Sequence, residues 1–411
     1  MTLNRRAFVR GSAASLALAT TPMFTAPAPA APPQRSPRIA RVEAIAMRYP
    51  VVGRFKFFEG PDGKPTGRAA VLVKITADEG TVGWGQSVPI PKWSYETLET
   101  VESTIRGYLG PVIVGLDPID LDGVHAAMGR AIAPSFSTGQ PIAKAGIDLA
   151  LHDLAGKLRG ENVAQLWGRR PAATPLTLSW TLNPRTLDEI DGLVEQGRAR
   201  GYRHFNVKVA PDPAFDLALC RRVRSLVPDG FLWADANGGY DEATALAVAP
   251  RLADLGVPVL EQPLAANRLG GYRKLKKQGA LPIIMDEGIV SSVELEEFHR
   301  LGLLDGVAMK PARCGGLREA RRQVEYLQKH GLMFLGSGLT DPDLSLAASL
   351  ALYGAFDLRY PAALNGPQFL DGSILEPVLN ATRGAIAVPS GPGLGVTVDE
   401  ALLKRYAVRR D

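Results

Sequence analysis

Residues 231–237 read FLWADAN, residues 258–263 PVLEQP and residues 282–288 PIIMDEG; each apolar, strand-like run ends on an acid, Asp235, Glu261 and Asp286. Upstream, HFNVKVA at 204–210 carries Lys208, and downstream GVAMKPARCGG at 306–316 carries Lys310. From Lys208 to Lys310 these five charged positions step by 27, 26, 25 and 24 residues. A near-constant step of that size holds one strand, one helix and two short loops, which is the period of a (β/α) barrel. Charged residues at the C-terminal ends of successive barrel strands converge on one mouth, where barrel enzymes keep their chemistry.

Further strand-like runs lie near 176–182, 332–337 and 362–364, and helical spacing covers 187–200, 241–255, 293–301 and 316–330. Seven strand–helix units and a final strand predict an α/β fold, a modified TIM barrel of (β/α)7β type over residues 136–384. Residues 38–135 read as an N-terminal α+β capping domain, with strands over 39–49 and 68–77 and helices over 95–109 and 121–132. An amphipathic helix follows over 143–158. The C-terminal segment 385–411 contains IAVPSGPGLGVTVDEALLKRYAV and is expected to return to the capping domain.

At 411 residues the chain is too long for one ordinary core, and 46% hydrophobic with 22% charged residues places it among soluble globular proteins. The net charge is +5, but Arg5, Arg6 and Arg10 belong to a segment expected to be removed. The nearly balanced remainder gives no case for a nucleic-acid partner. Two cysteines, Cys220 and Cys314, make neither a disulfide framework nor a zinc site. NRRAFVR at 4–10 places a twin arginine before a weakly apolar stretch, and Ala28-Pro29-Ala30 supplies a cleavage site. The reading is a twin-arginine signal at 1–31, a linker at 32–37 and a periplasmic mature chain, folded and metal-loaded before export. The stretch is too short and too rich in Ala, Thr and Pro to be a membrane anchor.

Two aspartates and a glutamate on adjacent strand ends make an all-oxygen site that suits Mg²⁺ or Mn²⁺ rather than zinc. Lys208 and Lys310 fall on the second and sixth strands, four apart in an eight-stranded barrel, so they face each other across the mouth. A substrate held between them presents opposite faces to the two amines. That geometry removes a proton from one face of a carbon and returns it to the other, provided a nearby dication lowers a lysine pKa.

The motifs VKVA, WADANGGY, LEQP, MDEG and AMKPARCGGL, with TADEGTVGWGQS at 76–87 and AKAGIDLALHDLAGKLRG at 143–160, resemble those of the enolase superfamily. Within it they resemble the muconate lactonizing enzyme subgroup of the mandelate racemase/muconate lactonizing enzyme family. The resemblance covers nearly all the mature chain. It implies a capping domain over a (β/α)7β barrel, Mg²⁺ on Asp235, Glu261 and Asp286, and Lys208 and Lys310 as the acid/base pair. It further implies abstraction of a proton α to a carboxylate through an enediolate, with Asn206 and Asn237 supporting the ligands or binding the carboxylate. The mandelate racemase and acid-sugar dehydratase branch is less similar, because it uses a His base where this chain has Lys310. The five histidines, His125, His152, His204, His299 and His330, fall on helices or before a strand.

Two departures stand out. The subgroup commonly has Lys-x-Lys on the second strand, and here the sequence is Asn206-Val207-Lys208. Dipeptide epimerases usually have Asp-x-Asp near the eighth strand, where this chain reads Ala363-Leu364-Asn365-Gly366-Pro367; that argues against a free dipeptide. Asp341 and Asp343 either serve a cationic substrate group or form a turn and cap before a helix near Leu344. Candidate specificity residues are Phe55, Phe57, Trp93, Tyr95, Trp180, Asp341 and Asn365. The loop RFKFFEGPDGKPTG at 54–67 is either a lid or a surface loop with its aromatics in the core. The leading expectation is a racemase or epimerase of an amino acid derivative acting on a small carboxylate. A dehydratase or cycloisomerase is the alternative, and a non-catalytic periplasmic binding protein is the third reading. Whether the chain forms a homo-oligomer is left open.

Overall fold

Alternation of apolar and polar residues builds the first sheet. The computed structural model describes residues 36–60, 62–135 and 138–408; the signal segment at 1–31 and linker residues 32–35 lie outside the described residues. β1 (Ile39–Tyr49), β2 (Arg68–Ala77) and β3 (Val82–Ser87) form an antiparallel sheet in that order. Side chains alternate across the pleat. On β2, Val71, Val73 and Ile75 therefore pack against the helices, while Ala70 and Leu72 join the core shared with the barrel. β3 was not anticipated as a strand. Its glycines allow the helix Pro141–Arg159 to lie against it: a Cβ on Gly83 would meet Ala150 O at 2.2 Å, and one on Gly85 would meet Gly146 O at 2.1 Å. The helix expected from Tyr95 starts at Leu98, because Thr97 caps it, and it continues through a wider turn at Ile105–Leu109.

Seven parallel strands follow: β4 (Ser179–Leu182), β5 (His204–Lys208), β6 (Leu232–Asp235), β7 (Val259–Glu261), β8 (Ile283–Met285), β9 (Gly306–Met309) and β10 (Met333–Gly336). They are hydrogen-bonded in sequence order. Helices separate them, several started by a side-chain cap from Asp212, Asp241 or Ser291. Ala362 pairs with Leu178 and Ala363 with Ser337, both in parallel, which closes the sheet in place of a full eighth strand. Inside the closed sheet Trp233, Val259, Ile284, Ala308, Leu335 and Ala363 pack into one apolar cluster. The barrel is thus a filled core with its polar work displaced to one end.

Arg68, at the start of β2, ties the cap to that end. Fully buried, its guanidinium donates to the carbonyls of Leu339, Thr340, Val88, Pro89 and Ala69. At the other end of the chain, Ala407 pairs with Met47 of β1 and Tyr406 stacks on Tyr49 at 5.3 Å. Among the described residues no helix is long and apolar enough to cross a membrane.

Candidate active site

Residues two apart on a strand share a face. Trp233, Val259, Ile284 and Ala308 point into the barrel, so Asp235, Glu261, Asp286 and Lys310, each two positions on, also point inward at the strand ends. Asn206 and Lys208 stand in the same relation on β5. The apolar cluster therefore forms the floor of the site. Lys208, Lys310, Asn206, Asn237 and Asn365 line one narrow pocket with Ser337–Thr340 and Ala363, roofed by Phe55, Phe57, Ile90 and Trp93 from the cap. Wider clefts run along the outer surface, one beside His125 and Arg318, but both lysines line this narrow pocket, and each is paired with one of the acids.

The Lys208 ammonium is 2.5 Å from Asp235 Oδ2; Lys310 donates to Asp286 and lies 3.9 Å from Glu261 Oε1. Burial alone would lower the Lys208 pKa, but Asp235 and Glu261 outweigh it and hold the ammonium above the ordinary lysine value. The lowering expected from sequence depends on a bound dication; without one, Lys208 itself is the counter-ion of Asp235. Burial also pushes Glu261 well above the usual carboxylate range, with Asp235 and Asp286 adding to the effect. Asp286 goes the other way: burial would raise it, but Lys310 and Arg313 prevail and lower it.

Among the described residues no group of three or more Asp, Glu, His or Cys side chains is drawn close enough to hold a metal. In the same structure Asp235 is paired with Lys208 and Asp286 with Lys310. The residues nonetheless fit a hard dication. The donor set is all oxygen, and both carboxylate oxygens of Glu261 are buried with no hydrogen-bond partner. With Lys310 at 3.9 Å as its only ion-pair contact among the described residues and no hydrogen bond to either oxygen, this buried carboxylate is costly and is well served by a closer cation.

Asn237 clamps Asp235, donating its backbone N–H to Oδ1 at 2.9 Å and its amide to Oδ2 at 3.0 Å, from a left-handed backbone at φ +46°. Asn206 is buried with both amide atoms unpaired. Phe55, Phe57 and Trp93 form the roof, but their rings face the lysines: Lys208 Nζ is 5.9 Å from the Phe55 ring and Lys310 Nζ 5.0 Å from the Trp93 ring.

Three assignments need correction. Tyr95 is 63% exposed and does not line the pocket. Trp180 pairs in register with Phe205, so it points out of the barrel, where it packs on Tyr202 and beneath Arg200. Asp341 is buried and accepts hydrogen bonds from Leu339 N, Ser345 Oγ and Ser349 Oγ, next to the Arg68 charge. Asp343 accepts likewise from Ser373 Oγ and Ile374 N. Both act as structural acids, and neither is among the residues lining the pocket. Asn365 stays in the pocket, its amide 3.4 Å from Thr181 Oγ1.

Sequence reasoning missed four residues. Arg313, buried three positions after Lys310, donates to Asp286 and to Ala308 O; a charged residue in that Pro/Gly-rich turn was the available signal. Gln262 Oε1 accepts from Asp286 N at 2.8 Å and so fixes the next strand end. Glu59 clasps the aromatic loop: Arg54 and Arg185 both reach its Oε1, at 2.8 and 2.7 Å. Lys56 enters the same region from that loop, and burial pushes its ammonium down to about 8, with Asp235 opposing the fall.

Comparison with known proteins agrees with this geometry. A model described as enolase C-terminal domain-like matches residues 189–402, and one for the mandelate racemase / muconate lactonizing enzyme N-terminal domain matches residues 65–168. Chloromuconate cycloisomerase CbnB of Cupriavidus necator is 33% identical over 342 residues, covering 82% of this chain and 90% of that protein. The o-succinylbenzoate synthase of Bacillus subtilis (strain 168) is 27% identical over 347 residues, covering 84% and 91%. The crystal structure of 2-chloromuconate cycloisomerase from Rhodococcus opacus 1CP superposes with a TM-score of 0.82 at 28% identity, over 91% of this chain and 100% of that one.

Proposed function

The chain belongs to the mandelate racemase / muconate lactonizing enzyme family of the enolase superfamily, whose enzymes generally use Mg²⁺ or Mn²⁺, and from that premise we propose that it moves a proton at the carbon next to a carboxylate. The reaction is racemisation or epimerisation of a small amino acid derivative, with Asp235, Glu261 and Asp286 holding the metal. One observation carries this reading: Lys208 and Lys310, from the second and sixth barrel strands, line a single pocket, paired respectively with Asp235 and Asp286 on the strands between them. A bound Mg²⁺, held by Asp235, Glu261 and Asp286, would supply Lewis acidity to a substrate carboxylate; Lys208 and Lys310, no longer the sole counter-ions of Asp235 and Asp286, are placed so that one of them, after losing its proton to solvent, acts as base. One lysine then accepts the α-proton while the other, still an ammonium, donates to the opposite face. Asn237 orients Asp235, Arg313 orients Asp286, and the unpaired amide of Asn206 is placed to hydrogen-bond the substrate. The roof of Phe55, Phe57 and Trp93 excludes water from the reacting carbon.

The names of the relatives favour a second reading, cycloisomerisation, in which one lysine moves the proton and the other steadies charge. Incubation with Mg²⁺ and a library of chiral carboxylates in D₂O, followed by NMR, separates the two. Deuterium at the α-carbon with inversion supports racemisation; exchange on one stereoisomer or ring closure supports the cycloisomerase. No exchange across a broad library returns the chain to a binding role. The NRRAFVR segment supports a periplasmic enzyme; replacing Arg5 and Arg6 by lysine should then leave the protein in the cytoplasmic fraction, and unchanged export would refute that address.

A further inference from the structure

A second group of charges lies outside the barrel mouth, where the long helix Pro141–Arg159 packs beside the barrel helix Leu317–Lys329. Residues three, four and seven apart share one face of a helix. On the barrel helix one such face carries Arg318, Arg321, Arg322 and Glu325; on the long helix another carries His152, Ala155 and Arg159. Together they line a cleft of about 420 Å³, with Trp167 in its wall. No lining residue is shared with the pocket under Phe55 and Trp93.

His152 is the unusual member. Its ring is fully buried, and Nδ1 is already engaged, 2.9 Å from the Asp148 carbonyl oxygen and 3.2 Å from Asp148 Oδ1. A carbonyl only accepts, so Nδ1 carries a proton. Nε2, on the far side of the ring, is buried with no hydrogen-bond partner among the described residues. Burial works against a charged ring, but Asp148 outweighs it and holds the His152 pKa above the ordinary histidine value. In the charged form Nε2 is a second N–H donor. A buried donor left unpaired is costly, so the ring lacks an acceptor.

The arginines lack the same thing. Arg159 is exposed and, among the described residues, has neither a hydrogen bond nor an ion pair. Arg321 gives only its Nε to Glu325, at 2.8 Å, and both terminal nitrogens stay unpaired among the described residues. Its guanidinium sits over the Trp167 ring at 5.6 Å, and Trp167 meets the His152 ring edge-on at 5.9 Å, so the three side chains hold one another in place. Arg318 and Arg322 are both engaged by Asp122. The acids stay at the rim, since the side chains of Asp122 and Glu325 are 76% and 40% exposed. One imidazole N–H and two guanidinium forks are thus left over, all of them donors. Cationic donors without an acceptor fit an oxyanion, and planar forks match the paired oxygens of a phosphate.

We propose that this cleft is a second anion site, which takes a phosphate group on His152 Nε2, Arg159 and Arg321. The bound group bridges the long helix and a barrel helix, and so fastens them together away from the chemistry. The site stands independently of the proton-transfer reading.

Calorimetric titration of the Mg²⁺-loaded protein with inorganic phosphate, against sodium chloride at matched ionic strength, tests the assignment. Saturable binding is expected, weakened about tenfold or more in Arg159→Met and in Arg321→Met, the scale of a charge-assisted hydrogen bond. Lys208→Met controls for phosphate held at the mouth and should leave the affinity unchanged. In ¹⁵N-histidine spectra, the Nε2 signal that disappears in His152→Gln should move on saturation. Absence of saturable binding, an affinity untouched in both arginine variants, loss of binding in Lys208→Met, or a stationary His152 signal would each overturn the proposal. Phenyl phosphate separates two sources of the ligand. Tighter binding than inorganic phosphate assigns the cleft to a phosphate ester whose organic part rests on Trp167; equal or weaker binding assigns it to free phosphate.

Discussion

Two sets of buried acids occupy this protein, and they are built on opposite principles. Asp341, Asp343, Asp148 and Glu96 lie where the cap, its long helix and the barrel meet, and each is saturated. Asp148 accepts from His125 at 2.7 Å and from the backbone N–H of Leu317, and Glu96 accepts from Ile142 N and Ala143 N. Glu261, between Asp235 and Asp286 at the strand ends, has neither oxygen paired. A saturated buried acid holds structure together, whereas an unsaturated one among like charges is unfavourable until something cationic arrives. Hydrogen-bond satisfaction separates the two kinds.

The sharpest break of that contrast concerns the lysines that now serve the unsaturated set. Lys208→Ala and Lys310→Ala should each lower α-proton exchange by about 10²- to 10⁴-fold, the usual worth of a general acid or base. With Mg²⁺ present to replace the lost counter-ion, thermal unfolding should change little in either variant, and retained turnover in one of them ends the two-base scheme. Next, Asp341→Ala should cost about 3–5 kcal/mol, because Ser345, Ser349 and Leu339 N lose an acceptor and Arg68 loses its nearby charge. Glu261→Gln should instead leave stability unchanged or raised while Mg²⁺ affinity collapses. Urea unfolding beside calorimetry reads both, and equal destabilisation in the two variants would erase the distinction.

The smallest effect is a pH dependence in the saturated set. Burial, the largest influence on Glu96, outweighs its two backbone hydrogen bonds and pushes its pKa up from 4.5 to about 7. Between those values the folded state holds a proton that the unfolded state has released, so stability falls as pH rises. The contribution is complete below 4.5 and gone above about 7. Thermal melts from pH 4 to 8 should show this slope in the wild type and a flatter one in Glu96→Gln; identical slopes would contradict the assignment.

Much of this was legible in the sequence. The period of Lys208, Asp235, Glu261, Asp286 and Lys310 predicted the barrel, its mouth and the adjacency of the charges, because one strand–helix unit has a narrow range of lengths. Trp180 was misplaced although its signal was present: it is in phase with Phe205 rather than Asn206, hence on the outer face. Asp341 was not readable, because its partners Arg68, Ser345 and Ser349 come from distant elements that only the folded chain assembles. Lys56 escaped for the same reason, since nothing local tells a loop lysine that it lies beside a strand end 179 residues away.

The pairing of Met47 with Ala407 joins residues 360 positions apart. While the ribosome is still adding the last residues, the first sheet lacks that edge contact and Tyr49 lacks its stacking partner. Contacts so distant in sequence close slowly, since a long loop must be ordered before they are rewarded. Joining this edge of the first sheet is therefore a slow contact to make, and replacing Tyr406 by Ala should loosen the Tyr49 end of that sheet while leaving the barrel strands paired.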